Sequence, residues 1–190
     1  MKILVVGSGA REHALVRALA RTWSTADELE LLCAPGNPGI ADDARCISEV
    51  GGEDVPALVA LAESEAVDLV VVGPEVPLVD GLVDQLAAKG IKAFGPSRAA
   101  AQLEGSKIFC KEVLIASGVP TAGYIVLRSR EEALNAAETA SYPAVFKSDG
   151  LAAGKGVVVA MSLPQPHVAI DAMLDGSTLG VQHNDGGARV

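Results

Sequence analysis

Short apolar runs alternate with amphipathic stretches along the first half of the chain. Lys2–Val6 (KILVV) is a continuous apolar run rich in Ile and Val, the pattern of a strand buried on both faces. Gly7-Ser8-Gly9 ends it, and Ala10 to Arg21 predicts a helix with Leu15, Ala18 and Leu19 on one side. Glu28–Ala34 reads as a second strand, stopped by Pro35-Gly36-Asn37-Pro38-Gly39. Asp54–Glu65 predicts a helix capped by Asp54, and Asp68–Val72 a third buried strand closed by Gly73-Pro74-Glu75-Val76-Pro77. Leu78–Lys89 predicts one helix ending before Gly90, and Lys92–Phe94 a short strand before Gly95-Pro96. Strands alternating with helices of about ten to fifteen residues mean βαβ units and a parallel sheet.

The rhythm changes near residue 100. Ala99–Glu104 and Ser106–Ser117 predict helices, Tyr124–Leu127 a strand, and Ser129 the cap of a helix with Glu131 and Glu132 in its first turn. Pro143–Ser148 and Gly156–Met161 are strands separated only by a glycine-rich loop, which predicts an antiparallel pair. Pro164–Leu174 predicts a last helix, and the final stretch has no clear period. The expected fold class is α/β, with a Rossmann-like parallel-sheet domain over residues 1–100 and a second domain over residues 101–190.

Composition narrows the chemistry. A chain of 190 residues, 49% hydrophobic and 21% charged, is globular. Its net charge of −9 argues against nucleic acid and anionic membrane as partners, and 3% aromatics leaves few stacking platforms. Any phosphate must be held by local geometry. Cys33, Cys46 and Cys110 form no Cys-x-x-Cys pair, and no run reaches the length of a membrane span, which points to a cytoplasmic protein.

Gly7-x-Gly9 lies between a strand and a helix, where backbone N–H groups can receive an anion, with Arg11 beside the helix start. It departs from a dinucleotide fingerprint, because Glu12 stands at the third glycine position and the second strand ends in Ala34-Pro35 with no acid for a ribose. Glu12 and His13 fit either a cap of the helix or a ligand contact. The loops Pro35–Gly39 and Gly73–Pro77 also follow buried strands, so three loops should rim one crevice. Lys147-Ser148-Asp149-Gly150-Leu151-Ala152-Ala153-Gly154-Lys155-Gly156 is a hairpin loop of small residues flanked by lysines, suited to lie over a polyphosphate. It is not a Walker A loop: glycine follows Lys155 where Ser or Thr would hold magnesium. Lys107 and Lys111, one helical turn apart, fit a solvated face as well as a site.

Taken in order, these motifs resemble the glycinamide ribonucleotide synthetase family, the phosphoribosylamine–glycine ligases of the ATP-grasp class. The carriers are Gly7-Ser8-Gly9-Ala10-Arg11-Glu12-His13, Pro35-Gly36-Asn37-Pro38-Gly39, Gly73-Pro74-Glu75-Val76-Pro77, the stretch Ala100–Lys107, and Lys147–Val157. The resemblance implies ATP-dependent ligation of glycine to 5-phosphoribosylamine through glycyl phosphate in purine synthesis. It implies Lys107 and Lys147 as ATP-phosphate lysines and Gly150, Leu151, Ala152, Ala153, Gly154, Lys155 and Gly156 as the phosphate-covering loop. It implies Gly7, Gly9, Arg11, Glu12, Gly36, Asn37, Gly73, Pro74 and Glu75 around the phosphoribosyl substrate. Family members run on past this point, so the expectation is an N-terminal part with an incomplete ATP-grasp domain and magnesium ligands beyond residue 190, inactive alone. The rival readings are a non-catalytic nucleotide- or sugar-phosphate-binding module and, further off, an NAD-dependent oxidoreductase.

Overall fold

The structure, a computed structural model, describes residues 1–24, 28–152, 156–163, 165–175 and 189–190. The chain divides into two compact units, Met1–Ala101 and Gln102–Val190.

The first unit is built on a five-stranded, wholly parallel sheet. Its strands are β1 (Lys2–Gly7), β2 (Glu30–Pro35), β3 (Arg45–Cys46), β4 (Leu69–Val72) and β5 (Lys92–Phe94), in the spatial order β3-β2-β1-β4-β5. Helices α1 (Ala10–Thr22), α2 (Val55–Ser64), α3 (Glu75–Val79) and α4 (Leu82–Ala88) follow strands along the chain. The continuous apolar run of β1 has a direct cause. Leu4 and Val6 pack with Leu58 of α2 and Leu82 and Leu86 of α4, while Ile3 and Val5 pack with Val16 of α1 and Ile40. With helices on both faces, Ile3 to Gly7 of the central strand are buried, and Lys2 at its start stays partly exposed.

The stretch Leu78–Lys89 is two helices rather than one. Gly81, at φ +86, takes the left-handed conformation that interrupts the hydrogen-bond ladder, and α4 restarts so that Leu82 and Leu86 enter the core. Strand β2 begins at Glu30 rather than Glu28. The sheet also gains the two-residue edge strand β3 and a short 3-10 turn, Ile40–Asp42, neither of which carries an apolar period to announce it.

In the second unit β6 (Ala144–Lys147) and β7 (Val157–Ala160) pair antiparallel, with Lys147 opposite Val157. Helices α7 (Arg130–Thr139) and α8 (Gln165–Asp175) cover one face of this pair, burying Ala133, Ala137, Ile170 and Met173 with Phe146 and Ala160. Helix α5 (Arg98–Gly105) precedes α6 (Lys107–Ala116), whose cap Ser106 accepts the N–H of Phe109 at 3.1 Å. Tyr124–Leu127 is not a strand. Leu127 exchanges both backbone hydrogen bonds with Val190, at 3.0 and 3.1 Å, and one such pair makes no ladder. Most of the final stretch, and Pro164, lie outside the described residues.

Candidate functional site

In the first unit the strand order reverses between β1 and β4. In such a sheet the crevice at the carboxyl ends of the two strands is where ligands enter. A cavity of about 430 Å³ opens there, bordered by Gly7, Gly9, Glu12, Pro35, Gly52 and Pro74.

Glu12 joins the two sides of that reversal. It is only 4% exposed, and its Oε2 accepts the N–H of Gly9 at 2.6 Å, the backward half of a capping box. Its Oε1 is buried with no hydrogen-bond partner among the described residues. A Cβ on Gly7 would lie 2.6 Å from Glu12 Cγ, and one on Gly73 would collide with the same carboxylate. The glycines that end β1 and follow β4 are therefore the room Glu12 occupies. The residue that breaks the dinucleotide pattern stands where a third glycine would let the helix pack closely on the strand.

Arg11, in the first turn of α1, spans the reversal from outside. Its Nη1 and Nη2 donate to Glu75 Oε1 and Oε2 at 2.8 and 3.2 Å. The guanidinium holds the Glu75 carboxyl below its usual range, against a smaller opposing push from burial. Asn37 fastens its loop: Nδ2 donates to the Ser8 carbonyl at 2.8 Å, and Oδ1 accepts the N–H groups of Gly39 and Ile40 at 2.8 and 3.0 Å. Gly36, at φ +73, passes over Cys46 with no room for a side chain. Pro35, rather than Gly36 or Asn37, borders the cavity. Beneath the loop, burial pushes the Cys33 thiol up to about 12, with smaller contributions from Cys46 and Glu12.

The sequence reading missed the segment Gly51-Gly52-Glu53-Asp54, all of which borders the cavity. A Cβ on Gly52 would come within 3.5 Å of the Gly7 Cα, so the two loops approach backbone to backbone. Asp54 Oδ1 caps α2 by accepting the N–H of Ala57 at 3.1 Å. The cavity thus lies beside the starts of two helices, α1 and α2, whose positive dipole ends favour an anion, while Glu12, Glu53 and Asp54 also stand on its border. The available signal was glycine followed by a helix cap, the same signature as Gly7–Gly9.

In the second unit a separate cavity of about 390 Å³ is bordered by Lys107, Lys111, Tyr124, Val145, Lys147 and Asp149. Lys107 donates to the Gly150 carbonyl at 2.8 Å. Burial lowers its pKa below the usual lysine range, Lys147 adds to the lowering, and Asp149 opposes it. Lys111 donates to Thr121 Oγ1 and the Ala122 carbonyl, both at 2.7 Å, and lies 5.7 Å from the centre of the Tyr124 ring. Neither lysine is a free surface charge. The loop after β6 is pinched at its base, where Ser148 N–H donates to the Gly156 carbonyl at 2.9 Å. Gly150 takes φ +110, Leu151 is half-buried, and Ala152 is buried. A Cβ on Gly156 would collide with the Ser148 hydroxyl. Ala153, Gly154 and Lys155 lie outside the described residues.

Lys107, Lys147 and the turn at Gly150 are thus brought together, a set of cations and backbone suited to phosphate oxygens. Among the described residues no group of three or more His, Cys, Asp or Glu side chains gathers to hold a metal ion. None of them is assigned to magnesium. No helix among the described residues is long and apolar enough to cross a membrane.

Comparison with known proteins follows the same division. The family described as phosphoribosylglycinamide synthetase, N domain, matches residues 1–104, and the ATP-grasp (A) domain of that synthetase matches residues 105–185. A phosphoribosylamine–glycine ligase of Xanthomonas campestris is 50% identical over 100% of this chain and 43% of its own length. That of Ralstonia nicotianae is likewise 50% identical, over 100% and 43%. The crystal structure of the Thermotoga maritima phosphoribosylamine–glycine ligase is 28% identical with a TM-score of 0.71, covering 100% of this chain and 42% of that one. An ADP complex of N5-carboxyaminoimidazole ribonucleotide synthetase, at 20% identity and TM-score 0.71 over 90% and 44%, shares the fold. The chain spans about two-fifths of the length of the curated relatives it matches, 43% for the first of them. Two matches in series across residues 1–185, with half the residues shared with named ligases, make this chain a member of the phosphoribosylglycinamide synthetase family.

Proposed function

We propose that this chain carries the phosphoribosyl-binding and first ATP-binding elements of an enzyme that ligates glycine to 5-phosphoribosylamine at the expense of ATP. The observation that supports it most is the presence of two distinct phosphate-suited cavities, one in each unit. The first lies beside two helix starts, at the strand-order reversal that the Arg11–Glu75 pair also spans; the second has Lys107 and Lys147 beside a glycine-rich turn.

The chemistry divides accordingly. A carboxylate is a poor acyl donor until one oxygen becomes a leaving group. In the proposed reaction a glycine oxygen takes the terminal phosphoryl group of ATP, leaving ADP. The amine of phosphoribosylamine then attacks the acyl carbon, and inorganic phosphate departs as the amide forms. Lys107 and Lys147 hold phosphate oxygens and offset the charge in transfer. The backbone at Gly7, Gly9 and Pro74 borders the cavity that would take the phosphoribosyl group, Gly36 and Gly73 give room to the Cys46 and Glu12 side chains packed beside it, and Arg11 is directed to its phosphate. Glu12, Asn37 and Glu75 hold the surrounding loops in place. Magnesium, which would neutralise the triphosphate, has no assigned ligand here.

Calorimetric titration of this chain with ATP, ribose 5-phosphate and NAD tests the reading. ATP and ribose 5-phosphate should bind independently, with Lys147→Ala removing only the first. Binding of NAD in place of both would overturn it in favour of an oxidoreductase. A glycine-dependent ADP-release assay on the Xanthomonas ligase carrying this chain's residues 1–175 separates an enzyme from a simple binding module.

A further inference from the structure

We propose that Asp149 is a positioning residue for the lysine-flanked cavity, a carboxylate that locks the start of α6, and with it Lys107, to the loop that follows β6. The inference rests on the reading of Lys107 and Lys147 as phosphate-binding lysines, and assigns the part that sets their geometry.

Asp149 is 2% exposed, yet both its oxygens are engaged. Oδ1 accepts the Ser106 hydroxyl at 3.0 Å and the Ile108 N–H at 3.2 Å, while Oδ2 accepts Arg189 Nη2 at 2.9 Å. The N–H of Asp149 itself donates to the Arg189 carbonyl at 2.9 Å. Ser106 is the cap of α6, and its oxygen in turn accepts the Phe109 N–H. A buried carboxylate therefore stands at the start of a helix of ten residues, where unsatisfied N–H groups and the helix dipole favour negative charge.

Lys107 lies between the α6 cap, Ser106, and Ile108, the two residues of this stretch that Asp149 binds. Its ammonium reaches across to the Gly150 carbonyl, the residue after Asp149, at 2.8 Å. The clamp and the lysine thus bridge the same two segments, α6 and the loop base, with Lys147 two residues before Asp149 on β6. Ordinary electrostatics gives the opposite role: an anion beside two phosphate-binding cations should weaken phosphate binding. A carboxylate retained there is explained by geometry, through the hydrogen bonds it makes at the helix start.

That conflict of sign supplies the test. Asp149→Asn removes the negative charge at nearly constant shape, so a purely electrostatic role makes ATP bind more tightly. A positioning role makes it bind about tenfold more weakly, the loss expected when buried charged hydrogen bonds are broken. Asp149→Glu keeps the charge and displaces the carboxylate by one methylene, and should also weaken ATP binding. Calorimetry on this chain reads both affinities. Carbon NMR titration of reductively methylated lysines, with Lys107 assigned through Lys107→Arg, reads the site without nucleotide. Lys107 should titrate lower in Asp149→Asn and near its unaltered position in Asp149→Glu. Unchanged or tighter ATP binding in a folded Asp149→Asn, or in Asp149→Glu should the first variant fail to fold, would overturn the proposal. Lys147→Ala serves as the control: if it retains full ATP affinity, the reading of the cavity itself is wrong.

Discussion

Arg11 and Glu75 form a two-pronged ion pair across the line where the sheet reverses its strand order, with Nη1–Oε1 at 2.8 Å and Nη2–Oε2 at 3.2 Å. One partner stands in the first turn of α1, after β1; the other begins α3, after β4. Both side chains are well exposed, 65% and 39%, so solvent screens the pair and its share of stability is small. Its geometry matters more: a guanidinium held in a fixed plane across the strand-order reversal is, on the function proposed above, set to meet a phosphate.

Arg11→Ala and Glu75→Ala should therefore each cost well under about 1 kcal/mol in denaturant unfolding. Each should still weaken ribose 5-phosphate binding about tenfold, the first by removing the cation and the second by releasing its orientation. ATP affinity should not move. The double variant should lose no more than Arg11→Ala alone, because Glu75 acts through Arg11. Equal losses for both ligands in calorimetry would dissolve the two-site division. The pH dependence has a defined sign. Glu75 is held below the usual carboxylate value, so the pair is intact above that value and is lost as pH falls through the lowered one.

A second expectation concerns Gly73. A Cβ there would overlap the buried Glu12 side chain, which cannot swing away without leaving the Gly9 N–H it binds at 2.6 Å. Gly73→Ala should lose about 1–3 kcal/mol of stability, the usual range for overpacking. Gly123→Ala, where a Cβ meets nothing within 4 Å, should change it little. Adding Glu12→Ala to Gly73→Ala should recover part of the loss. Thermal melts of the three variants decide it, and equal midpoints for Gly73→Ala and Gly123→Ala would remove Glu12 from the role of clip.

Much of the first unit was legible because burial on both faces leaves a plain record. Lys2–Val6 and Asp68–Val72 read as strands since the inner residues of a central parallel strand pack against helices on both faces, and Asp54 and Ser129 read as caps since each accepts the N–H three residues on. Arg45–Cys46 was not legible: an edge strand of two residues, one of them charged, has no period. The break at Gly81 was hidden because Leu78, Leu82 and Leu86 keep helical spacing across it. Gly51–Asp54 was overlooked as a site element because its nearness to Gly7 comes from sheet order, which no local window contains. The engagement of Asp149 was equally invisible, since Ser106 and Arg189 lie far from it in sequence.

Cys33 gives a pH-dependent expectation. Its thiol is fully buried and pushed up to about 12 from 9.0, chiefly by burial. Between those values the unfolded chain releases the proton and the folded chain keeps it, so stability falls as pH rises, by about 1.4 kcal/mol per pH unit at most. Alkylation at pH 8.5, followed by mass spectrometry, should label Cys46 and Cys110 well before Cys33 (about pH 8.5 being where an ordinary thiol is half ionised). The order should collapse in denaturant. Early labelling of Cys33 in the folded chain would show that the Pro35–Gly39 loop opens over it.

The last expectation concerns the pinch at the base of the second loop. Ser148 N–H donates to the Gly156 carbonyl at 2.9 Å, and a Cβ on Gly156 would strike the Ser148 hydroxyl and come within 2.7 Å of the Ala152 Cβ. Gly156→Ala must therefore open the pinch or displace the stretch from Asp149 to Ala152. Either movement carries the Gly150 carbonyl away from Lys107, which now donates to it at 2.8 Å. Nucleotide affinity should fall about tenfold, while ribose 5-phosphate binding stays unchanged because its proposed site lies in the other unit. Val157→Thr, a nearly isosteric change on an exposed position of β7, provides a control for general disturbance of the hairpin. Calorimetry with ATP and ribose 5-phosphate on folded Gly156→Ala reads both affinities. Should ATP bind as tightly as in the unaltered chain while Lys147→Ala abolishes binding, the loop base is scaffolding and the lysines alone hold the phosphates.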